Sequence, residues 1–190
     1  MALFAATTNL LAAGLTLAAI AYYVVIYTML LKRHTSQSTL WGGVCGAAPV
    51  LIAWAAATGS LSWAALLLFL VVFFWQPPHF WALAIKYRDD YAAANVPMLP
   101  AVATLGRTAR QILVYTVLLV AVTVLFSAVG HMGALYLAGA LVLGALFVVH
   151  ALRLQRAPTP ASAMALFRYS ITYLTLLFVA MAGDVLLRFH

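Results

Sequence analysis

Two of the three carboxylates in this 190-residue chain stand side by side, at Asp89 and Asp90, with Lys86, Arg88, Arg107 and Arg110 around them. Adjacent hard oxygen donors ringed by cations suit a divalent cation together with a polyanion. Mg2+ binds through one or two carboxylates and takes its other ligands from water and phosphate. The Lys and Arg side chains then take up the remaining phosphate charge. The plainer use of the acids is to cap a short helix over 91–95. Upstream, His79 lies in an apolar run directly after Pro77-Pro78. If a helix continues to Asp90, then His79, Leu83, Lys86 and Asp90 fall at i, i+4, i+7 and i+11, within about 40° of His79, along about 16 Å. That is the pattern of an apolar cavity with a charged mouth. Intramembrane ionisable residues mark sites more often than packing, although a single structural hydrogen bond would also account for His79. Val96-Pro97-Met98-Leu99-Pro100 follows as an apolar, proline-stiffened lid.

These residues must be positioned by elements built for lipid. Of the chain, 67% is hydrophobic and only 7% charged, with mean hydropathy +1.08; soluble domains carry about 25% charge. Apolar runs of spanning length occur at about 9–31, 41–58, 61–85, 109–129, 133–152 and 166–187, which makes the fold class an all-α polytopic membrane bundle of about six helices. Pro77 and Pro78 lack the amides that would serve the Phe73 and Phe74 carbonyls, so the third span is expected to break or kink there. Gly42-x-x-x-Gly46 in the second span permits close helix approach. Cys45 is the only cysteine, so no internal disulfide forms. Tyr22 and Tyr23 read as interfacial anchors, and Tyr27 shares a face with His34, seven residues on. Asp184, four residues before Arg188 near the end of the last span, reads as half of a surface ion pair.

The net charge of +7 is a topology signal, not a nucleic-acid footprint. Lys32 and Arg33 follow the first span, Lys86, Arg88, Arg107 and Arg110 flank the central loop, and Arg153, Arg156 and Arg168 flank the last long one. With six spans these loops share one side, and the turns at 58–62 and 130–133 carry no Lys or Arg. The positive-inside rule makes the basic side cytoplasmic. The first nine residues have no basic residue and so lack the n-region of a signal peptide.

The stretches YTMLLKRHT at 27–35 and WQPPHFWALAIKYRDDYAAANVPMLP at 75–100 resemble the haem O synthase (protohaem IX farnesyltransferase) branch of the intramembrane aromatic prenyltransferase superfamily. The resemblance covers the whole chain in order and topology. It implies farnesyl diphosphate and haem b as substrates, Mg2+ as cofactor, and a hydroxyethylfarnesyl haem as product, with haem A synthase as a candidate partner downstream. By resemblance Asp89 and Asp90 hold Mg2+ and act with Lys86 in catalysis, while Lys32, Arg33, Lys86 and Arg88 hold the diphosphate. Tyr27 belongs to the same substrate site, His79 contacts the porphyrin as iron ligand or propionate partner, and Trp75, Phe80 and Trp81 line the apolar groove. The resemblance also implies nine helices. No acid precedes Asp89, so the superfamily's first motif, Asn-x-x-x-Asp-x-x-x-Asp, has no counterpart here. The expectation is therefore one prenyltransferase domain over 1–190, matching the last six of nine helices, with three helices missing from its N-terminal side. A haem-carrying or transport subunit without chemistry is the alternative from another class; it would need two facing histidines, for which His79 and His150 are the nearest candidates.

Overall fold

The computed structural model describes residues 7–31 and 35–188. Lys32, Arg33 and His34 lie outside the described residues. Helix α1 (Leu10–Ala21) starts at Asn9, whose side chain accepts the Ala12 amide at 2.9 Å. Asn9 Nδ2 also donates to the Ala55 carbonyl at 2.7 Å, tying the start of α1 to the end of the next helix. From Tyr22 to Leu31 the chain widens into π-helical winding, and Thr28 Oγ1 bonds back five residues to the Tyr23 carbonyl at 2.8 Å. Helix α2 (Ser38–Thr58) ends at Gly59, whose φ of 68° suits a residue without a Cβ. Helix α3 (Trp63–Lys86) is capped by Ser62. Two short helices follow, α4 (Arg88–Ala93) and α5 (Leu99–Val102). The long helices α6 (Leu105–Val129), α7 (Ala134–Arg156) and α8 (Pro160–Arg188) complete the bundle. Among the described residues six helices are long and apolar enough to cross a membrane, each overlapping one expected span.

Helices α3, α6, α7 and α8 close a ring in which each packs on two others. Its core holds Ile112 and Leu119 of α6, Tyr136 and Phe147 of α7, and Tyr173 and Leu177 of α8, all fully buried. Its two buried phenols are paired, as the shortage of water between membrane helices requires: Tyr173 OH lies 2.9 Å from Thr123 Oγ1, and Tyr136 OH donates to the Thr123 carbonyl at 3.1 Å. Helix α2 packs on the outer side of α3, and α1 packs on α2.

Three expectations change. Helix α3 is not interrupted at Pro77-Pro78; both prolines are buried inside one continuous helix. A proline's φ is itself helical, so the helix runs through the pair although the Phe73 and Phe74 carbonyls lose their i+4 amides. The chain leaves helical geometry ten residues later, at Tyr87 (φ −102°, ψ 27°), so the stripe from His79 runs to Lys86 and does not reach Asp90. Asp184 is buried and is not half of a surface ion pair. It accepts the Gly133 amide at 2.6 Å and the Tyr136 amide at 3.1 Å, capping the start of α7, while Arg188 donates to the His131 carbonyl. Free helix N-termini need such acceptors, more so where water is scarce.

The connection before α2 lies against the central loop. Thr39, at the start of α2, reaches Met98 of the central loop with its hydroxyl 3.5 Å from the sulfur. Helix α8 has 29 residues, about 43 Å at 1.5 Å per residue, longer than a hydrocarbon core of about 30 Å.

Candidate functional site

A cavity of about 760 Å³ opens between α1, α2 and α3, within the range that holds small organic ligands. Tyr27 reaches it from the π-helical segment, winding that recurs at functional sites, and Gln76 and Phe80 reach it from α3. Gly42 and Gly46 of α2 make the space. A Cβ on Gly42 would stand 2.7 Å from the Tyr27 ring, and one on Gly46 would overlap the Gln76 amide. The glycine pair therefore admits two side chains from neighbouring helices, not a close approach of backbones. Gln76 is buried and donates through Nε2 to the Gly43 carbonyl at 3.0 Å. Sequence reasoning gave Gln76 no role; its one signal was an amide placed mid-span beside the proline pair.

At its loop end the cavity is bounded by Tyr91, Val96 and Met98. Asn95, with φ of 53°, turns the chain just before Val96 and Met98, which line the cavity. The lid expected over 96–100 therefore does border the cavity through two of its residues. Asp89 and Asp90 sit in the first turn of α4, not before a helix over 91–95, in line with the favourable charge at a helix start. They are exposed, as are Lys86 and Arg88. Lys86 Nζ lies 5.2 Å from the Tyr87 ring centroid. Among the described residues no group of three or more His, Cys, Asp or Glu is assembled for a metal. Two exposed adjacent carboxylates next to an open cavity do fit Mg2+, which needs few protein ligands when phosphate supplies others.

The aromatic residues do not line one groove. Only Phe80 faces the large cavity. Trp75 and His79 line a second groove, of about 380 Å³, against Phe167 and Ile171 of α8. Trp81 is buried on a third side, edge-on to Tyr115 of α6 at 5.4 Å. At 100° per residue, positions 75, 80 and 81 point about 100° or more apart, so one helix cannot bring them together. His79 lies between the rings of Trp75 (4.3 Å) and Phe167 (4.6 Å). Its Nδ1 is 2.7 Å from Ser170 Oγ, and that hydroxyl donates to the Phe167 carbonyl at 2.6 Å. Ser170 has a single proton, already given to a carbonyl, so His79 Nδ1 carries the other and Nε2 keeps its lone pair. Trp75 Nε1 donates to the Ser170 carbonyl at 2.8 Å, fixing the same corner. His150 stacks on Tyr169 at 4.7 Å and has no place in the His79 groove.

The UbiA prenyltransferase family model matches residues 1–181. Among similar proteins, a protoheme IX farnesyltransferase of Streptomyces avermitilis is 48% identical over 98% of this chain and 63% of its own length. One of Salinispora tropica is 54% identical over 97% of this chain and 59% of its own length. One of Mycolicibacterium smegmatis is 51% identical over 94% of this chain and 58% of its own length. The chain thus spans about three-fifths of the length of the curated relatives it matches. No solved structure matches. With six helices of spanning length among the described residues, an apolar cavity bordered by the segment that follows Asp89 and Asp90, and a family match over nearly its whole length, this chain belongs to the UbiA prenyltransferase family.

Proposed function

We propose that this chain serves transfer of the farnesyl group of farnesyl diphosphate to a vinyl group of haem b, in a bacterial plasma membrane with its basic loops on the cytoplasmic side. The observation that carries the reading is the apolar cavity whose one end is formed by the loop bearing Asp89 and Asp90. The isoprenoid chain would lie along Tyr27, Gln76 and Phe80, where apolar walls keep water from an allylic cation. Its diphosphate would sit at the loop, held by Lys86 and Arg88 and, by the sequence motif, Lys32 and Arg33. Asp89 and Asp90 would hold Mg2+, which supplies Lewis-acid neutralisation of the leaving group. The allylic C–O bond breaks as the vinyl carbon bonds to that allylic carbon; water then adds at the resulting cation and releases a proton.

The groove of Trp75 and His79 is the place proposed for the porphyrin. The His79 and Phe80 rings are 5.2 Å apart, so groove and cavity adjoin across Phe80. A macrocycle contacting His79 Nε2 would present its edge over Phe80 towards the isoprenoid. A catalytically silent b-type cytochrome is the weaker reading, because His79 and His150 do not face one another.

The metal assignment is tested with Asp89→Asn and Asp90→Asn by calorimetric titration of farnesyl diphosphate with and without Mg2+. Each variant is expected to insert normally and to lose at least about tenfold in Mg2+-dependent affinity, one charge-assisted ligand being worth 1.4 kcal/mol or more. Unchanged Mg2+-dependent affinity in both variants rules the assignment out.

A further inference from the structure

Ser170 of α8 stands behind the groove proposed for the porphyrin. It is fully buried, and its hydroxyl has two neighbours, the Phe167 carbonyl at 2.6 Å and His79 Nδ1 at 2.7 Å. A carbonyl can only accept, so the serine's one proton belongs between the two oxygens, which would repel at that distance without it. Towards His79 the hydroxyl is therefore an acceptor, and Nδ1 is the protonated nitrogen. No water reaches Ser170 to supply another donor. The tautomer of His79 is thus set from α8.

Both faces of the imidazole are covered, by Trp75 at 4.3 Å and Phe167 at 4.6 Å, and Ser170 holds the Nδ1 edge. The remaining edge carries Nε2. No hydrogen bond reaches that atom, and it is not buried: among the described residues Trp81 Nε1 is the one buried side-chain nitrogen or oxygen left without a partner. His79 lines the groove and not the prenyl cavity, so Nε2 opens to the groove. A neutral nitrogen with a lone pair has no proton to give. A haem propionate is also an acceptor, so the two would repel, and the groove has no charged side chain to bind a carboxylate in its place. Iron is the Lewis acid of the macrocycle, and imidazole nitrogen ligates it well.

Resting on the porphyrin placement proposed above, we infer that His79 Nε2 is an axial ligand of the substrate's iron and that Ser170 is the positioning residue that makes it one. Ser170 fixes the rotation of the ring and keeps the proton on Nδ1. Nε2 donates its lone pair to iron, and no proton is released. The iron–nitrogen bond stands normal to the macrocycle, so this one contact sets the plane of the vinyl groups relative to Phe80. A ligating histidine commonly donates its other N–H to such a partner, whose loss lowers metal affinity about 10–100-fold.

The test titrates reduced protohaem into the full chain in nanodiscs, followed by absorption and by the iron–imidazole stretching band in resonance Raman spectra. His79→Gly should lose the band, and added imidazole should restore it. Ser170→Ala keeps the carbonyl that accepts from Trp75 Nε1, so the corner stays tied. It should nevertheless lower the frequency of the band, which a packing role alone would not do, and weaken haem binding about 10–100-fold. Ser170→Cys, of similar shape and a weak acceptor, takes its place if Ser170→Ala does not fold. Ile171→Trp, which fills the groove, tells two failures apart. Haem binding that Ile171→Trp leaves intact, or no binding by the unaltered chain, overturns the porphyrin placement and the inference with it. Binding that Ile171→Trp abolishes, with a spectrum that His79→Gly leaves unchanged, overturns the iron assignment alone. A band that Ser170→Ala leaves unmoved, at unchanged affinity, overturns the part assigned to Ser170.

Discussion

Gly46→Ala should change sign with its background. Considered within α2 alone, replacing a mid-helix glycine by alanine stabilises by about 0.5–1 kcal/mol. The added Cβ, however, would overlap Gln76 Oε1 and stand 3.0 Å from Gln76 Cδ and Nε2. Gln76 is buried and has no free volume to retreat into except the cavity, and moving it breaks the 3.0 Å bond to the Gly43 carbonyl. Overpacking costs about 1–3 kcal/mol, and a broken buried hydrogen bond about 1–3 kcal/mol more. The clash wins, for a net loss of about 1–5 kcal/mol. In Gln76→Ala the obstruction is absent. There Gly46→Ala should stabilise by the helix term alone, about 0.5–1 kcal/mol. Equilibrium unfolding of the four proteins in mixed micelles gives the coupling directly. The same change on adding Gly46→Ala in both backgrounds would refute the packing argument.

Two further perturbations test the placement of polar groups. Asp184→Asn leaves one acceptor for two amides and turns its own N–H towards the second. It should lower the melting temperature clearly more than Arg188→Gln, because the carboxylate caps α7 and does not depend on the arginine; equal losses would restore the ion-pair reading. In a Cys45→Ser background, Gln37→Cys and Thr159→Cys should resist a membrane-impermeant maleimide applied to intact cells while Ser60→Cys reacts. Labelling of either basic-loop position from outside would overturn the proposed orientation.

The six spans were legible in the sequence because membrane insertion depends on a sum over about 20 consecutive side chains, and such a sum needs no knowledge of neighbours. Loop placement of the acids was local as well, although the acids' position within α4 and the break at Tyr87 were not. Helix periodicity alone would have separated Trp75, Phe80 and Trp81, yet only packing decides what each direction meets: the cavity, α8 or α6. Gln76 and Asp184 show the limit most clearly. An amide in an apolar helix and an acid near a helix end look like isolated costs in one dimension. Their partners, the Gly43 carbonyl and the Gly133 and Tyr136 amides, lie 33, 51 and 48 residues away. A buried polar group takes its meaning from the group that satisfies it, and helices brought side by side, not residues in order along the chain, choose that partner.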